Sequence, residues 1–200
     1  MNKLDNLLIK PLENTVKEFG KDELAFLALT TKIELPLRDR LAYVLHKKLS
    51  KQNFIVSREW YRVDLAILKD NKPKVLVELK AMYTFDAVNE NGYYKSAIVY
   101  LKDDMNRRRQ SLADKDTNIF GILLATHPKK RIPSKLRGVV KYQQGINGAF
   151  KKFSNEKEVF NVANKRVDKF IGKNKIIKKG VLKGGSAFGI ETDVLYWIIK

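Results

Sequence analysis

The chain has no cysteine, two histidines (His46 and His127) and twenty-two acidic residues in a total of 200. Without cysteine there can be no disulfide and no thiolate-held zinc or iron–sulfur centre. Two scattered histidines do not make an imidazole cage. Any metal must therefore be held mainly by oxygen, which selects magnesium, manganese or calcium. No apolar run approaches the roughly 20 residues of a membrane span. The opening MNKLDNLLIKPLENTVKEF mixes charge through its apolar positions and lacks the small-residue cleavage site of a signal peptide. These absences predict a cytoplasmic protein with no membrane partner.

Against the few carboxylates stand forty Lys and Arg, a net charge of +18. The excess is uneven: residues 129–183 hold seventeen basic and three acidic side chains, a net of +14. A field this lopsided suits a polyanion, because each phosphate contact releases condensed counterions. A lysine-rich solubilising surface is the plainer alternative. An apolar fraction of 44% with 31% charged residues describes a folding chain, and its length suits one domain over 1–200.

Leu4, Leu7, Leu8, Leu12 and Val16 recur near the helical period, and Glu23 to Leu29 form a short apolar helix. Leu37, Leu41, Leu45 and Leu49 form one stripe of a helix over 34–49, with Pro36 in its first turn. The period then switches to two, predicting strands over 54–58, 61–68 and 74–82, with turn chemistry at Asp70–Pro73. Residues 95–112 read as a helix with Ile98, Leu101, Met105 and Leu112 inward, and the apolar run 118–126 as a strand buried on both faces. The order over 34–126 is thus α-β-β-β-α-β. Beyond it, 156–171 reads as a helix with Phe160, Ala163, Val167 and Phe170 inward. Residues 175–182 and 189–199 read as two strands across a glycine-rich loop, Gly184–Gly189, while 134–153 resists assignment.

Alternation along the third strand sends Val75, Val77 and Leu79 one way and Leu76, Glu78 and Lys80 the other. Opposite charges on one face of an apolar strand are costly unless they serve each other or a ligand. On the preceding strand Arg62, Asp64 and Ala66 share a face opposite Val63, Leu65 and Ile67, so Asp64 is the one carboxylate in an apolar run. With paired strands about 4.8 Å apart, Asp64 and Glu78 can share a cation. Phosphodiester hydrolysis needs such a cation to acidify a water and to offset charge on the phosphate. Lys80 on the same face can orient that water.

Asp64 followed across a hairpin by Glu78-Leu-Lys80 resembles the PD-(D/E)xK, or restriction-endonuclease-like, superfamily. The resemblance covers residues 34–126, with Val63 in place of the family's proline. It implies an α/β fold: an αβββαβ core, a mixed central sheet flanked by helices, extra N-terminal helices and a basic α+β extension over 127–200. It also implies that Asp64 and Glu78 hold Mg2+, for which Mn2+ substitutes, that Lys80 assists the water, and that Glu34 joins them from the preceding helix, where a first-turn carboxylate favoured by the helix dipole is the equal alternative. Lys102, Asn106 or Arg109 would face the site from the following helix. The expected activity is magnesium-dependent hydrolysis of DNA, ahead of RNA, by an endonuclease of restriction or phage-defence type. Cutting both strands would favour a homodimer. The alternative is a non-catalytic nucleic-acid-binding protein on the same fold.

Other residues have plainer readings beside functional ones. Lys165, Lys169 and Lys173, four apart on one helical side, are candidates for phosphate contact. Glu59 is a register-shifted substitute ligand, and Trp60, Tyr61 and Tyr83 are stacking or packing groups. Asp103 and Asp104 read as helix-surface charges, Arg107 to Arg109 as a solvated or phosphate-facing run, and His127 as a neutral exposed histidine.

Overall fold

The computed structural model of the chain describes residues 5–89, 92–153 and 155–200. Its elements in chain order are α1 (Asp5–Asn14), α2 (Glu23–Thr30), α3 (Glu34–Leu49), β1 (Phe54–Trp60), β2 (Val63–Lys69), β3 (Lys72–Tyr83), α4 (Thr84–Val88), α5 (Tyr93–Ser111), β4 (Asn118–Pro128), α6 (Gln143–Lys152), α7 (Glu156–Ile171), β5 (Ile176–Ala187) and β6 (Ile190–Ile199). The strands form one mixed sheet in the order β1-β2-β3-β4-β6-β5. β1, β2 and β3 are an antiparallel meander, β3 and β4 are parallel, and β6 joins β4 and β5 antiparallel. The region expected as an extension therefore completes the sheet. Among the described residues, no helix is long and apolar enough to cross a membrane.

Both faces of the sheet are covered. Leu8, Leu12, Leu37, Leu41 and Leu45 of α1 and α3 pack with Val75, Val77 and Leu79 of β3 and Phe120, Ile122 and Leu124 of β4. On the opposite face Ile98, Leu101 and Met105 of α5 and Ala163 and Val167 of α7 pack with Leu76, Met82, Leu123 and Trp197. The continuous apolar run of β4 follows from this double burial. On α7 the fully buried stripe is Val159, Ala163, Val167 and Ile171, with Phe160 and Phe170 only partly covered. This shifts the expected stripe by one residue at each end.

The two hairpins of the meander have two-residue turns, and in both the central residues have positive φ, as a I′ turn demands. Asp70 (φ 51°) and Asn71 (φ 58°) suit that conformation. Tyr61 (φ 46°) and Arg62 (φ 67°) do not, and each carries about 1–3 kcal/mol of backbone strain. The segment 134–153 resolves into a short 3-10 turn and α6. The expected loop Gly184–Gly189 is mostly strand: β5 runs to Ala187 with an irregular register after Lys183, and the chain reverses at Phe188 and Gly189.

One glycine governs how close α5 comes to the sheet. Gly121 of β4 lies beside Glu78 of β3, and a Cβ there would stand 2.6 Å from Met105 Sδ and 2.9 Å from Ile199 Cγ1. Gly121→Ala is expected to lower stability by about 1–3 kcal/mol through overpacking. A shift in the urea midpoint at unchanged slope measures it; wild-type stability would mean that α5 moves without cost.

Candidate functional site

β2 is shorter than β3, and the site arises from that mismatch. Their pairing ends at Leu65–Val77, yet β3 runs on to Tyr83. Alternate residues of a strand present their N–H groups to the same edge, so Leu79, Ala81 and Tyr83 have donors there and no strand to receive them. Three carboxylates take their place. Asp64 accepts from the Leu79 N–H at 2.8 Å, Glu34 from Ala81 at 3.0 Å and Asp86 from Tyr83 at 2.8 Å. Asp64 reaches sideways to do so, and the expected alternation slips beside it. Val63 packs with Ala66 and Leu68 rather than with Leu65 and Ile67.

Glu78 and Lys80 project from β3 toward α5, and each meets a partner of opposite charge one helical turn apart. Arg108 Nε donates to Glu78 Oε1 at 2.5 Å, and Lys80 Nζ lies 2.9 Å from Asp104 Oδ2. The Glu78 side chain is 3% exposed. Burial, with the adjacent Asp64 carboxylate, pushes its pKa up to about 7 against the opposing pull of Arg108. Burial also raises Glu34, with help from Asp64, while Lys80 and the Ala81 N–H oppose it. For Lys80 burial favours the neutral form, but Asp104, Glu34 and Asp64 together outweigh it and raise the ammonium.

The structure thus brings Asp64, Glu78, Lys80 and Glu34 together and adds Asp104 and Arg108. Asp104 is not a surface charge, and Arg108 is not merely one of a solvated run. Their signal was present in the sequence: positions 101, 104, 105 and 108 lie on one helical stripe, two of them apolar and two charged. Lys102 instead donates to the Ile171 carbonyl at 3.3 Å, and Asn106 and Arg109 are exposed. Glu59, opposite Asp64 by register, has a φ of 55° and pairs with Arg38 of α3.

Around the site, Arg108 also donates to the Arg62 carbonyl at 2.6 Å, tying α5 to the strained hairpin tip. Tyr61 at that tip is 70% exposed, with Trp60 packed against it edge-on at 4.8 Å. Tyr83 is buried, and its hydroxyl donates to the Ala28 carbonyl at 2.9 Å. His127 is buried rather than exposed, 3.1 Å from Thr84 Oγ1 and 3.4 Å from Glu156, and burial lowers its pKa despite that carboxylate. Lys165 and Lys169 are exposed on α7. Lys173 lies past the helix end, in a 3-10 turn after Gly172 (φ 91°), so the four-residue spacing does not carry it onto their helical face.

Among the described residues no three or more His, Asp or Glu side chains gather closely enough to form a metal site by themselves. The donor set nonetheless suits magnesium, which takes one or two carboxylates and completes its shell with water and phosphate. Asp64, Glu78, Glu34 and Asp104 face three cations at close range, Lys80, Arg107 and Arg108, with Lys32 acting on Glu34 as well, so a metal would compete with side-chain cations for the carboxylates. Comparisons with family models, curated proteins and solved structures found no match for the chain.

The raised pKa of Glu78 gives a pH signature. A carboxyl whose folded pKa lies above its unfolded value of 4.5 contributes stability that is fully present below pH 4.5 and is lost as pH rises through about 7. The loss is on the order of 3 kcal/mol. Glu78→Gln is expected to flatten this fall between pH 5 and 8, as read by thermal melts in metal-free buffer. An unchanged profile would mean that Glu78 ionises normally.

Proposed function

We propose that the chain is a magnesium-dependent nuclease that hydrolyses DNA phosphodiesters on a restriction-endonuclease-like αβββαβ core. The core would be α3-β1-β2-β3-α5-β4, with α4 inserted as a short helix. The observation that carries the reading is the placement of Asp64 against Glu78, two carboxylates side by side at the end of a hairpin, with Lys80 two residues along the same strand face. Two adjacent carboxylates of which one resists ionisation are poorly matched to each other and well matched to a divalent cation.

Asp64 and Glu78 would hold Mg2+, which when bound supplies an acidified water and positive charge at the phosphate. Lys80 keeps its proton near the scissile group, where it orients the nucleophile and offsets developing charge. Glu34 fixes Ala81 and faces Lys80. Arg108 neutralises Glu78 in the metal-free protein. The exposed lysines of the segment 129–183 grip the backbone, and a homodimer would serve cleavage of both strands.

A specific observation favours the non-catalytic alternative: Glu78 and Lys80 are each already satisfied by a partner on α5. Incubation with supercoiled plasmid, linear duplex, single strands and RNA, each with magnesium, manganese, calcium or EDTA, separates the two. Asp64→Ala, Glu78→Ala and Lys80→Ala are each expected to lower cleavage by at least about a hundredfold, as loss of transition-state stabilisation does, with folding retained by circular dichroism. Wild-type turnover by any one of them would remove the assignment.

Backbone binding has its own measurement. Replacing Lys165, Lys169 and Lys173 by Gln is expected to weaken binding to all sequences alike. It should also reduce the slope of log affinity against log salt by about 0.9 for each duplex phosphate that is no longer neutralised. An unchanged slope would make these lysines solubilising surface.

A further inference from the structure

Next to the carboxylate site lies a second concavity with a different chemistry. A cleft of about 400 Å³ lined by Glu34, Lys80, Tyr93 and Tyr100 adjoins a smaller pocket of about 260 Å³. Lys32 and Tyr93 line both. The smaller pocket is bounded by Met82, Tyr83, Phe85, Asp86 and Tyr142 as well, the Asp86 carboxylate being held by the Tyr83 N–H. Met82 follows Lys80 on the same face of β3, roughly 7 Å further along the strand.

The aromatic walls are fixed in place. Tyr83 and Phe85 have ring centroids 5.4 Å apart, and Tyr142 meets them at 5.1 and 6.1 Å. The Tyr83 hydroxyl is anchored on Ala28, and Gly145 lies so close to Phe85 that a Cβ would stand 2.5 Å from its ring. Tyr142 has a φ of 58°, rare for a bulky residue, and the residue is 48% exposed. Lys32 Nζ donates to the Tyr93 hydroxyl at 2.7 Å, which places a cation at the junction of the two cavities. The pocket falls below the usual drug-sized range of about 300–1,000 Å³ and so favours a single flat ring system. A π-face beside a cation, next to a cleft that reaches Glu34 and Lys80 of the proposed site, matches one unstacked nucleobase attached to its phosphate.

We propose that the pocket between Tyr93 and Tyr142 holds a single unstacked nucleobase whose phosphate lies in the cleft at Glu34 and Lys80, so that a single strand enters it directly and a duplex only with one base turned out. A base within a duplex is stacked and paired and reaches such a pocket only by leaving the helix. This deepens the nuclease reading and rests on it for the identity of the neighbouring phosphate.

The test uses short single-stranded DNA carrying the fluorescent adenine analogue 2-aminopurine, scanned through the sequence, with the full chain in EDTA. Wild-type protein and Tyr142→Phe are expected to quench the probe at one position. Tyr142→Leu is expected to lose that quenching and to bind about 5- to 150-fold more weakly, the range of one base–aromatic stack. An abasic nucleotide at the same position should weaken wild-type binding by a similar factor, which decides the matter even where Tyr142→Leu fails to fold. Equal affinity and quenching in wild type and Tyr142→Leu, or no cost for the abasic strand, overturns the pocket. Position-specific quenching without cleavage on adding magnesium supports the pocket and removes the nuclease reading. Cleavage of a strand that shows no quenching at any position does the reverse.

Discussion

A backbone N–H buried without an acceptor is costly, and the free edge of β3 presents three in succession. The acceptors are carboxylates from three different elements, Asp64 on β2, Glu34 on α3 and Asp86 on α4. Drawing Asp64 and Glu34 in places carboxylates beside Glu78, and the cations around them answer that crowding. Lys80 is held charged by the field, and Arg108 occupies one oxygen of Glu78. The charged cluster is thus a consequence of ending one strand early. A ladder completed by β2 would have needed neither Asp64 nor Glu34 at this edge.

The ion pairs to α5 are of the kind whose Coulomb gain is largely spent on desolvation. Their value lies in geometry. Two pairs four residues apart on a helix and two apart on a strand fix both the height and the rotation of α5 over β3. Gly121 supplies the close approach that makes those distances attainable. Arg108 extends the arrangement to the hairpin tip through the Arg62 carbonyl, where backbone strain is already stored.

The helices α3, α5 and α7 were legible because their apolar spacing is regular, and the pairing of β2 with β3 because the turn at Asp70–Pro73 sets it. So was the common face of Glu78 and Lys80, which needs only alternation. What escaped has physical reasons. Asp64 departs from strict alternation because its side chain substitutes for a missing strand, and no periodicity encodes a strand that stops. Asp104 and Arg108 lie within the apolar stripe of α5, but charge suggests solvent, and their partners Lys80 and Glu78 stand 24 and 30 residues away in sequence. His127 reads as exposed because it precedes a proline at the end of a strand, whereas α4 and α7 cover it. The glycines of 184–185 suggest a loop, yet Gly184 is buried where a Cβ would stand 2.4 Å from the Thr192 carbonyl oxygen. There glycine serves close packing.

The position of β5 at the end of the sheet gives part of the chain's positive charge a different task. An outer strand offers unpaired backbone groups on which another polypeptide can extend the sheet. β5 carries exposed Lys178, Lys179 and Lys183, and its register is irregular at both ends. Lys179 and Lys183 pair with Asp168 and Asp193, so burying this charged rim against a neighbouring strand would cost desolvation, and the irregular register offers a poor template. Assembly by sheet continuation through β5 is therefore disfavoured, and self-association of this protein would have to use another surface. The same lysines protect an open sheet edge, a task for part of the basic excess that needs no nucleic acid to explain it.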